Sequence, residues 1–148
     1  MYLRIYTDGG SRGNPGPAAV GFVIKKIDVA KREETELYRG GQTIGVATNN
    51  VAEYTAVLEA LKWLCRKQKE NPDKETKKII EFRLDSRLAA SQLSGIFKVK
   101  DPKLRELLVT IYNLVGELKA IVSYHYIPRE ENQEADFEVN LALNNLVK

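Results

Sequence analysis

The hydrophobic pattern of the chain changes its period near residue 48, and this change constrains the fold more than any other feature. Before it stand three strand-like runs of apolar and β-branched residues, at 2–8, 18–27 and 34–44. They are separated by a turn dense in Gly and Pro at 9–17 and by a charged turn at 28–33. Because the connections are short, these strands are predicted to form an antiparallel meander.

After residue 48 the apolar residues recur at helical spacing. Thr48 offers a helix N-cap, and the pattern that follows predicts an amphipathic helix to about Gln68, with a polar loop at 69–78. The remaining segments alternate between the two periods. They predict a strand at 79–84, a short helix from Ser86 to Gly95, a helix from Pro102 to about Lys119, a strand at 120–127 and a helix from about Asn132 to Leu146.

The resulting order, β-β-β-α-β-α-α-β-α, predicts an α/β fold. An antiparallel meander followed by βαβ crossovers gives a mixed five-stranded sheet, with its first three strands antiparallel and helices on both faces. A length of 148 residues suits one domain, which we assign to residues 1–148.

Composition excludes several classes of protein. There is no apolar run of about 18 residues and no basic-then-apolar leader, so neither a membrane span nor a secretory signal is expected. The single cysteine, Cys65, excludes an internal disulfide and a cysteine-based zinc site, and its helical pattern predicts burial. From these features we expect a cytoplasmic location. We also expect a monomer, since no self-complementary apolar surface is visible. The net charge of +3 permits a nucleic-acid partner without requiring one.

Four acidic residues stand where a carboxylate has no obvious structural role. Asp8 ends the first strand, Glu53 lies early in the first helix, Asp85 ends the fourth strand, and Asp136 lies near the start of the last helix. If folding brought them together, they would repel one another unless cations lay between them. Oxygen ligands suit Mg²⁺ or Mn²⁺. The set therefore indicates a magnesium-dependent phosphodiester enzyme.

Each of these acids also has an ordinary explanation when it is taken alone. Asp8 could begin a turn, and Asp85 could cap the helix that follows it. Glu53 and Asp136 could simply favour the N-terminal turns of their helices. Only the occurrence of all four together favours a metal site.

Amide side chains accompany two of the acids. Asn49 lies four residues before Glu53, and Asn132 lies four residues before Asp136, so each pair shares a helix face. Amides beside a metal site can read minor-groove edges and 2′-hydroxyl groups. Both asparagines are therefore expected to face a nucleic acid.

Four motifs together resemble the type 1 ribonuclease H family. They are TDGGSRGNPGPAAVGFVI at 7–24, TNNVAEYTAVLEAL at 48–61, LDSRLAASQLSG at 84–95, and PREENQEAD with Asn140 at 128–140. They occur in the family's order and spacing and cover nearly the whole chain. The RNase H-like fold that the resemblance implies agrees with the order of elements predicted above.

The resemblance implies an endonuclease that hydrolyses the RNA strand of RNA/DNA hybrids with two Mg²⁺ ions, for which Mn²⁺ can substitute. Asp8 would bridge both ions, and Glu53, Asp85 and Asp136 would complete their ligand shells. Water would attack the phosphate and leave a 5′-phosphate and a 3′-hydroxyl.

The resemblance also assigns substrate contacts. Asn49 and Gln92 would contact the minor groove, while Asn14, Thr48 and nearby backbone would form a pocket for a DNA-strand phosphate. Plain helix capping is an alternative for Thr48 and Asn49, and both roles can coexist.

The glycine-rich turn adds further candidate substrate contacts. From Gly9 onwards, glycine allows backbone N–H groups to approach a phosphate closely. Ser11 and Arg12 lie in the same turn, and Arg12 is a candidate ligand for a phosphate.

The chain departs from the family pattern in the loop before Asp136. Many bacterial relatives carry a histidine there, but PREENQEAD has none. The sole histidine, His125, lies in a strand-like run and is expected to be structural. We hypothesise that Arg129, Glu130 or Glu131 takes over the task of that loop histidine, which is to assist proton transfer or product release.

A second departure is the absence of the basic helical handle that many relatives insert after the short helix. The segment that joins the short helix to the next one carries four cations, which either replace the handle in part or simply belong to a solvated connector; they are Lys98, Lys100, Lys103 and Arg105. Phe137 stands where a polar residue is common, and it is expected to pack against the sheet or the preceding loop.

Two other functions remain open on the same fold. One is a non-catalytic module that binds nucleic acid, and the other is a different nuclease or a transposase-like reaction. The presence of all four acids argues against the first. The NNVAEY and REENQEAD segments favour the ribonuclease over the second.

Overall fold

The computed structural model describes residues 1–72 and 77–146, and its elements follow the predicted order. The strands are β1 (Tyr2–Ser11), β2 (Gly16–Asp28), β3 (Glu33–Ala47), β4 (Lys78–Leu84) and β5 (Ala120–Tyr126). The helices are α1 (Asn49–Glu70), α2 (Arg87–Leu93), α3 (Pro102–Leu118) and α4 (Gln133–Asn145), with a 3₁₀ turn at Arg129–Glu131. Residues 73–76 of the predicted loop at 69–78 lie outside the described residues.

The five strands form one mixed sheet in the order β3-β2-β1-β4-β5. β1 pairs antiparallel with β2, and β2 with β3, which confirms the predicted meander. β4 runs parallel to both β1 and β5. The carboxyl ends of β1, β4 and β5 therefore meet at one edge of the sheet, where α/β folds place their ligand sites.

Helices cover both faces of this sheet, as predicted. On one face, α1, α2 and α3 pack over alternate strand residues such as Ile5 and Phe82, and the same core buries Cys65. On the other face, α4 packs on β2 through a smaller cluster that includes Ala19 and Val139. Within the two described ranges, no helix is long and apolar enough to cross a membrane.

The glycine-rich segment at 9–17 is mostly strand, which corrects the predicted turn. β1 continues through Gly9 and Gly10 to Ser11, and β2 begins at Gly16. The chain therefore reverses over four residues only. The physical reason is that Gly9 serves close packing against α1, whereas Gly13, with a φ of 100°, serves the reversal.

Two glycines let helices approach the sheet backbone to backbone. A Cβ added to Gly9 in β1 would lie 2.2 Å from the carbonyl carbon of Ala52 in α1. A Cβ added to Gly21 in β2 would lie 2.5 Å from the carbonyl oxygen of Ala135 in α4. Neither distance is possible between real atoms, so both helices lie closer to the sheet than any larger residue would permit.

The expectation that Phe137 packs against the sheet is wrong. Its side chain is 60% exposed, because α4 turns Ala135 and Val139 toward β2 and leaves Phe137 on the outer face of the helix.

The contact at Gly9 predicts a large loss of stability on substitution. Gly9→Ala is expected to lower the free energy of unfolding by about 2–4 kcal/mol, because the new methyl group must push α1 away from β1. Urea denaturation of the purified variants measures this change.

Gly10→Ala is the matched control. Its Cβ would lie 3.7 Å from Val139 Cγ1, an ordinary contact. This variant is expected to change the free energy of unfolding by less than about 1 kcal/mol. Equal losses in the two variants would contradict the packing role assigned to Gly9.

Candidate metal centre and nucleic-acid cleft

Asp8 and Asp85 are brought together by the parallel pairing of β1 with β4. The ladder ends at the pair Thr7–Leu84, so the next residue of each segment places a carboxylate at the same edge of the sheet. Asp8 is buried and Asp85 is half-buried. Leu84 lies in the main core and anchors the end of its strand.

Glu53 reaches the same edge from α1. The helix starts at Asn49, and Glu53 lies one turn later, buried against β1. Burial raises the pKa of both Asp8 and Glu53, and a hydrogen bond from the backbone N–H of Gly9 partly opposes that rise. Gly9 is thus buried and serves the carboxylates, and its predicted contact with substrate stays a prediction.

Asp136 is carried by α4, which Asn132 ties to β1. The Nδ2 of Asn132 donates a hydrogen bond to the carbonyl oxygen of Thr7 at 2.9 Å, and Asn132 is only 1% exposed. The expectation that Asn132 faces a nucleic acid is therefore wrong. It is a positioning residue, because it holds α4 at the end of β1. Burial raises the pKa of Asp85, and a hydrogen bond from Asn132 partly opposes that rise.

The four carboxylates gather in one cleft of about 490 Å³. Asp8, Glu53 and Asp85 each place a carboxylate oxygen within 4.8 Å of the other two. Asp136 lies outside that trio, but it lines the same cleft and shares a hydrogen bond with Asp8.

Burial and mutual repulsion raise the pKa values of this cluster. Burial, followed by the charge of Asp85 and a hydrogen bond with Asp136, raises the pKa of Asp8 to about 8. Burial also raises the pKa of Glu53 well above its usual value and raises that of Asp85. In the absence of a cation, protons therefore hold part of the cluster neutral.

The oxygen atoms of the cluster fit a hard cation. Glu53 Oε2 and Asp85 Oδ2 are buried and have no hydrogen-bond partner among the described residues. A buried carboxylate oxygen without a donor is costly unless it binds a cation or a proton. Carboxylates from several segments are ligands typical of Mg²⁺ and Mn²⁺.

Four of the predicted substrate residues line this cleft beside the carboxylates. They are Gly9, Ser11, Arg12 and Asn49. The side-chain oxygen of Asn49 accepts a hydrogen bond from the backbone N–H of Ser11 at 2.9 Å, which leaves its amide N–H₂ for a ligand. Arg12 is exposed and donates from one nitrogen to Asn144 at 2.5 Å.

A second cavity of about 420 Å³ adjoins the cleft, and Asn49 lines both. Asn14 and Thr48 line this cavity, and Asn14 Oδ1 accepts a hydrogen bond from the backbone N–H of Asn49 at 3.0 Å. Thr48 Oγ1 accepts from the backbone N–H of Val51 at 3.2 Å, so the capping alternative is correct for Thr48. Its predicted contact with a phosphate stays a prediction.

Gln92 and His125 do not line either space. Gln92 is half-buried on α2, and its Oε1 accepts a hydrogen bond from the hydroxyl of buried Tyr54 at 2.5 Å. His125 is exposed on β5, with its Nε2 2.8 Å from Ser123 Oγ. The bond to Tyr54 joins α2 to α1 and leaves the N–H₂ of Gln92 for a ligand.

The cations before and within the first turn of α3 lie on the surface. The only acid of this stretch, Asp101, accepts hydrogen bonds from the first backbone N–H groups of α3. Arg105 donates to the connector's own backbone at 2.7 Å. Three exposed lysines form no ion pair within the described part of the chain; they are Lys98, Lys100 and Lys103.

Arg129 lines the cleft, whereas Glu130 and Glu131 do not. It lies in the 3₁₀ turn before α4, and its positive charge partly opposes the rise that burial causes in the pKa of Asp85. Of the three candidates for the missing loop helper, Arg129 alone stands on the wall of the site.

Comparisons with a family model and with known proteins both find similarity to RNase H. A family model described as RNase H matches residues 2–143. Ribonuclease HI of Halobacterium salinarum is 40% identical over 142 residues, which cover 96% of this chain and 64% of that protein. The bifunctional protein Rv2228c of Mycobacterium tuberculosis is 38% identical over 144 residues, which cover 97% of this chain and 36% of that protein.

Solved structures extend the comparison to the fold. The crystal structure of LC11-RNase H1 in complex with RNA/DNA hybrid has a TM-score of 0.85 and 40% identity, over 99% of each chain. RNase H1 from Halobacterium salinarum has a TM-score of 0.81 and 37% identity, over 98% of this chain and 99% of that one. This chain spans only part of the length of its curated relatives, 36% of the mycobacterial protein and 64% of the halobacterial one.

The crowding of carboxylates predicts that Asp8→Asn stabilises the metal-free protein at high pH. The folded pKa of Asp8, about 8, lies above its value of about 3.9 in an unfolded chain, so stability falls as pH rises between these values. At pH 9 without divalent cations, the variant is expected to gain about 2 kcal/mol in free energy of unfolding. Denaturation at pH 5 and pH 9 in EDTA measures the gain.

Added Mg²⁺ should stabilise the unmodified protein at pH 9 and should stabilise Asp8→Asn much less. Glu106→Gln, which removes an exposed acid of α3, is the control and should change neither result. A variant Asp8→Asn that is less stable than the unmodified protein at pH 9 in EDTA would contradict the repulsion described here.

Proposed function

The chain belongs to the type 1 RNase H family, and from that premise we propose that it is an endonuclease that hydrolyses the RNA strand of RNA/DNA hybrids. The observation that carries the proposal is the carboxylate cluster, in which Asp8, Glu53 and Asp85 come within 4.8 Å of one another beside Asp136. Amide groups line the same cleft, as recognition of 2′-hydroxyl groups would require.

We propose that these four carboxylates hold two Mg²⁺ ions, with Mn²⁺ as a possible substitute and Asp8 shared by both. When bound, such ions activate a water for attack on the phosphate and stabilise the leaving oxygen, which leaves a 5′-phosphate and a 3′-hydroxyl. The protein holds the ligands in place: Asn132 orients Asp85 and the end of β1, and the N–H of Gly9 orients Asp8 and Glu53. The buried setting strengthens every electrostatic interaction within the site.

The substrate is proposed to lie across both spaces that Asn49 lines. Asn14 and Thr48 would hold a phosphate of the DNA strand in the second cavity, and the amides of Asn49 and Gln92 would contact the minor groove. Ser11 and Arg12 would contact the backbone beside the carboxylates. Lys98, Lys100 and Lys103, which are exposed before and at the start of α3, would add positive charge on that side.

Residues 1–148 are proposed to act as one catalytic domain. A cytoplasmic location and a monomeric state are part of the same proposal, and sedimentation of the purified protein tests the second. The chain spans only part of the length of its curated relatives. The proposed activity therefore refers to residues 1–148, and for any longer protein that contains them it is likewise a proposal.

A cleavage assay on three duplexes tests the proposed activity. Labelled RNA/DNA, RNA/RNA and DNA/DNA duplexes are incubated with Mg²⁺, and only the RNA strand of the hybrid is expected to be cut. Asp8→Asn should lower the rate by at least about a thousandfold, because it removes the shared metal ligand. Mapping of the products should show 5′-phosphate and 3′-hydroxyl ends.

Each other outcome points to an alternative on the same fold. Hybrid binding without cleavage would indicate a non-catalytic module, and cleavage of a DNA strand would indicate a different nuclease. Hybrid cleavage that survives Asp8→Asn would overturn the proposed site.

Arg129 is expected to support the reaction through its charge. Arg129→Ala should lower kcat about tenfold at pH 7 and move the acidic limb of the pH–rate profile upward, because the cation that lowers the pKa of Asp85 is gone. Arg129→Lys keeps the charge and should retain most of the rate. An Arg129→Ala variant with unchanged turnover and an unchanged profile would remove this residue from consideration.

A further inference from the structure

An arginine that lies over a tyrosine ring directly follows Ser86, a residue that lines the cleft. Arg87 is the first residue of α2 and follows Asp85 by two positions. Its guanidinium carbon lies 4.5 Å from the ring centre of Tyr126, the last residue of β5. Arg87 is exposed and Tyr126 is 42% exposed, so the pair lies open to a ligand.

Local stability does not explain an arginine at this position. A cation in the first turn of a helix faces the positive end of the backbone dipole, where an acid would be favoured. Within residues 1–72 and 77–146, Arg87 forms no ion pair and no hydrogen bond with another side chain. Its guanidinium lies over the Tyr126 ring, where a cation–π interaction holds it. A stacked guanidinium keeps its N–H edge free for a planar, two-point contact with an anion.

The place of the pair in the fold connects it to the metal site. Along the carboxyl edge of the sheet, β1, β4 and β5 end in that order, so Asp8, Asp85 and Tyr126 succeed one another. Ser86, between Asp85 and Arg87, lines the cleft. The cavity proposed for a DNA-strand phosphate lies on the opposite side, beside α1 and the β1–β2 turn.

We infer that Arg87, held on the ring of Tyr126, binds a phosphate of the RNA strand next to the linkage that is cut. This inference rests on the proposed function. The strand that is cut must pass over the carboxylates, so its backbone continues past Asp85 toward the β5 side of the cleft. A polyanion that approaches four carboxylates also needs positive charge close by. Arg129 lines the cleft, and Arg87 directly follows Ser86, which lines it too. Arg87 is thus a substrate-binding residue that sets how the RNA strand lies on the site.

Steady-state cleavage of a hybrid at several salt concentrations tests the inference. Arg87→Gln is expected to raise KM about five- to tenfold at 0.1 M salt and to leave kcat within about twofold, because a charged hydrogen-bond pair to a phosphate is lost. The slope of log(kcat/KM) against log[salt] should become shallower by about 0.7–0.9, the value for one phosphate contact. Arg66→Gln, which changes an exposed arginine of α1 far along the helix from Glu53, is the matched control and should change neither quantity.

Tyr126 tests whether stacking holds the guanidinium. Tyr126→Leu should raise KM in the same direction as Arg87→Gln, and Tyr126→Phe, which keeps the ring, should recover most of that loss. A purely structural role for the pair would lower the melting temperature without changing the salt slope. Thermal melts of all variants therefore accompany the kinetics.

Substrates with one neutral linkage identify the strand. A single methylphosphonate is moved position by position, first through the strand that is cut and then through the DNA strand. One position in the cut strand should raise KM for the unmodified protein as much as Arg87→Gln does, and Arg87→Gln should be insensitive to it. An unchanged KM and salt slope in Arg87→Gln, or a matching position found only in the DNA strand, would overturn the inference.

The two levels of proposal fail in distinguishable ways. If the unmodified protein cleaves no hybrid, the proposed function fails and this inference falls with it. If the unmodified protein cleaves hybrids and Arg87→Gln behaves identically, only the inference fails.

Discussion

Close contact between two helix backbones and the β1–β2 pair is the constraint on which the rest of the structure depends. At Gly9 and Gly21 no Cβ can be accommodated, so α1 and α4 both lie directly on the sheet. The two glycines belong to neighbouring strands, and they face helices on opposite sides. Glu53 therefore reaches the end of β1 from one face and Asp136 from the other. Glycine at these two positions thus allows four segments that are distant in sequence to meet at the carboxyl edge of the sheet.

The same convergence makes the free site unfavourable. Buried carboxylate oxygens without donors, and acids whose pKa values are raised by burial and by one another, oppose folding of the metal-free protein. The main core on the α1 side, which buries residues such as Ile5, Phe82 and Leu84, lies directly behind the site and offsets this cost. Because that core packs tightly behind them, the ends of β1 and β4 are held rigidly. Such rigid support is needed to keep like charges close together.

Much of this arrangement can be predicted from the chain alone, and the rest depends on partners far away in sequence. Hydrophobic period and caps predict the order of elements, and parallel pairing of β1 with β4 then implies that Asp8 and Asp85 meet. The turn predicted at 9–17 is largely wrong, because glycine is common both in turns and where a helix packs closely on a strand. Of its glycines, only Gly13 has a positive φ, of 100°, and only the position of α1 reveals the other use of Gly9.

Two further residues show the same dependence on distant partners. Helical spacing places Asn132 on the face of Asp136, but its hydrogen-bond partner, Thr7, lies 125 residues earlier, and no local pattern contains that pairing. Arg87 lies between Asp85 and Gln92, in the motif LDSRLAASQLSG. Its positive charge is the feature that points to a function, because the helix dipole disfavours a basic residue in the first turn of a helix. Residues that break a local rule are therefore the ones to inspect for function.

If the chain has the proposed function, its charge distribution implies that cation and substrate bind as a coupled pair. Neutralising four carboxylates changes the formal net charge from +3 to about +7, so the surface that a polyanion meets becomes strongly basic only when the cluster is neutralised. Metal ions neutralise it without the protons that would disable the ligands, and a phosphate backbone supplies oxygen ligands that the protein lacks. Each partner therefore raises the affinity of the other, and by linkage the two effects are equal in free energy. A site that is repulsive when empty is thus a means of making metal binding conditional on the presence of a substrate backbone.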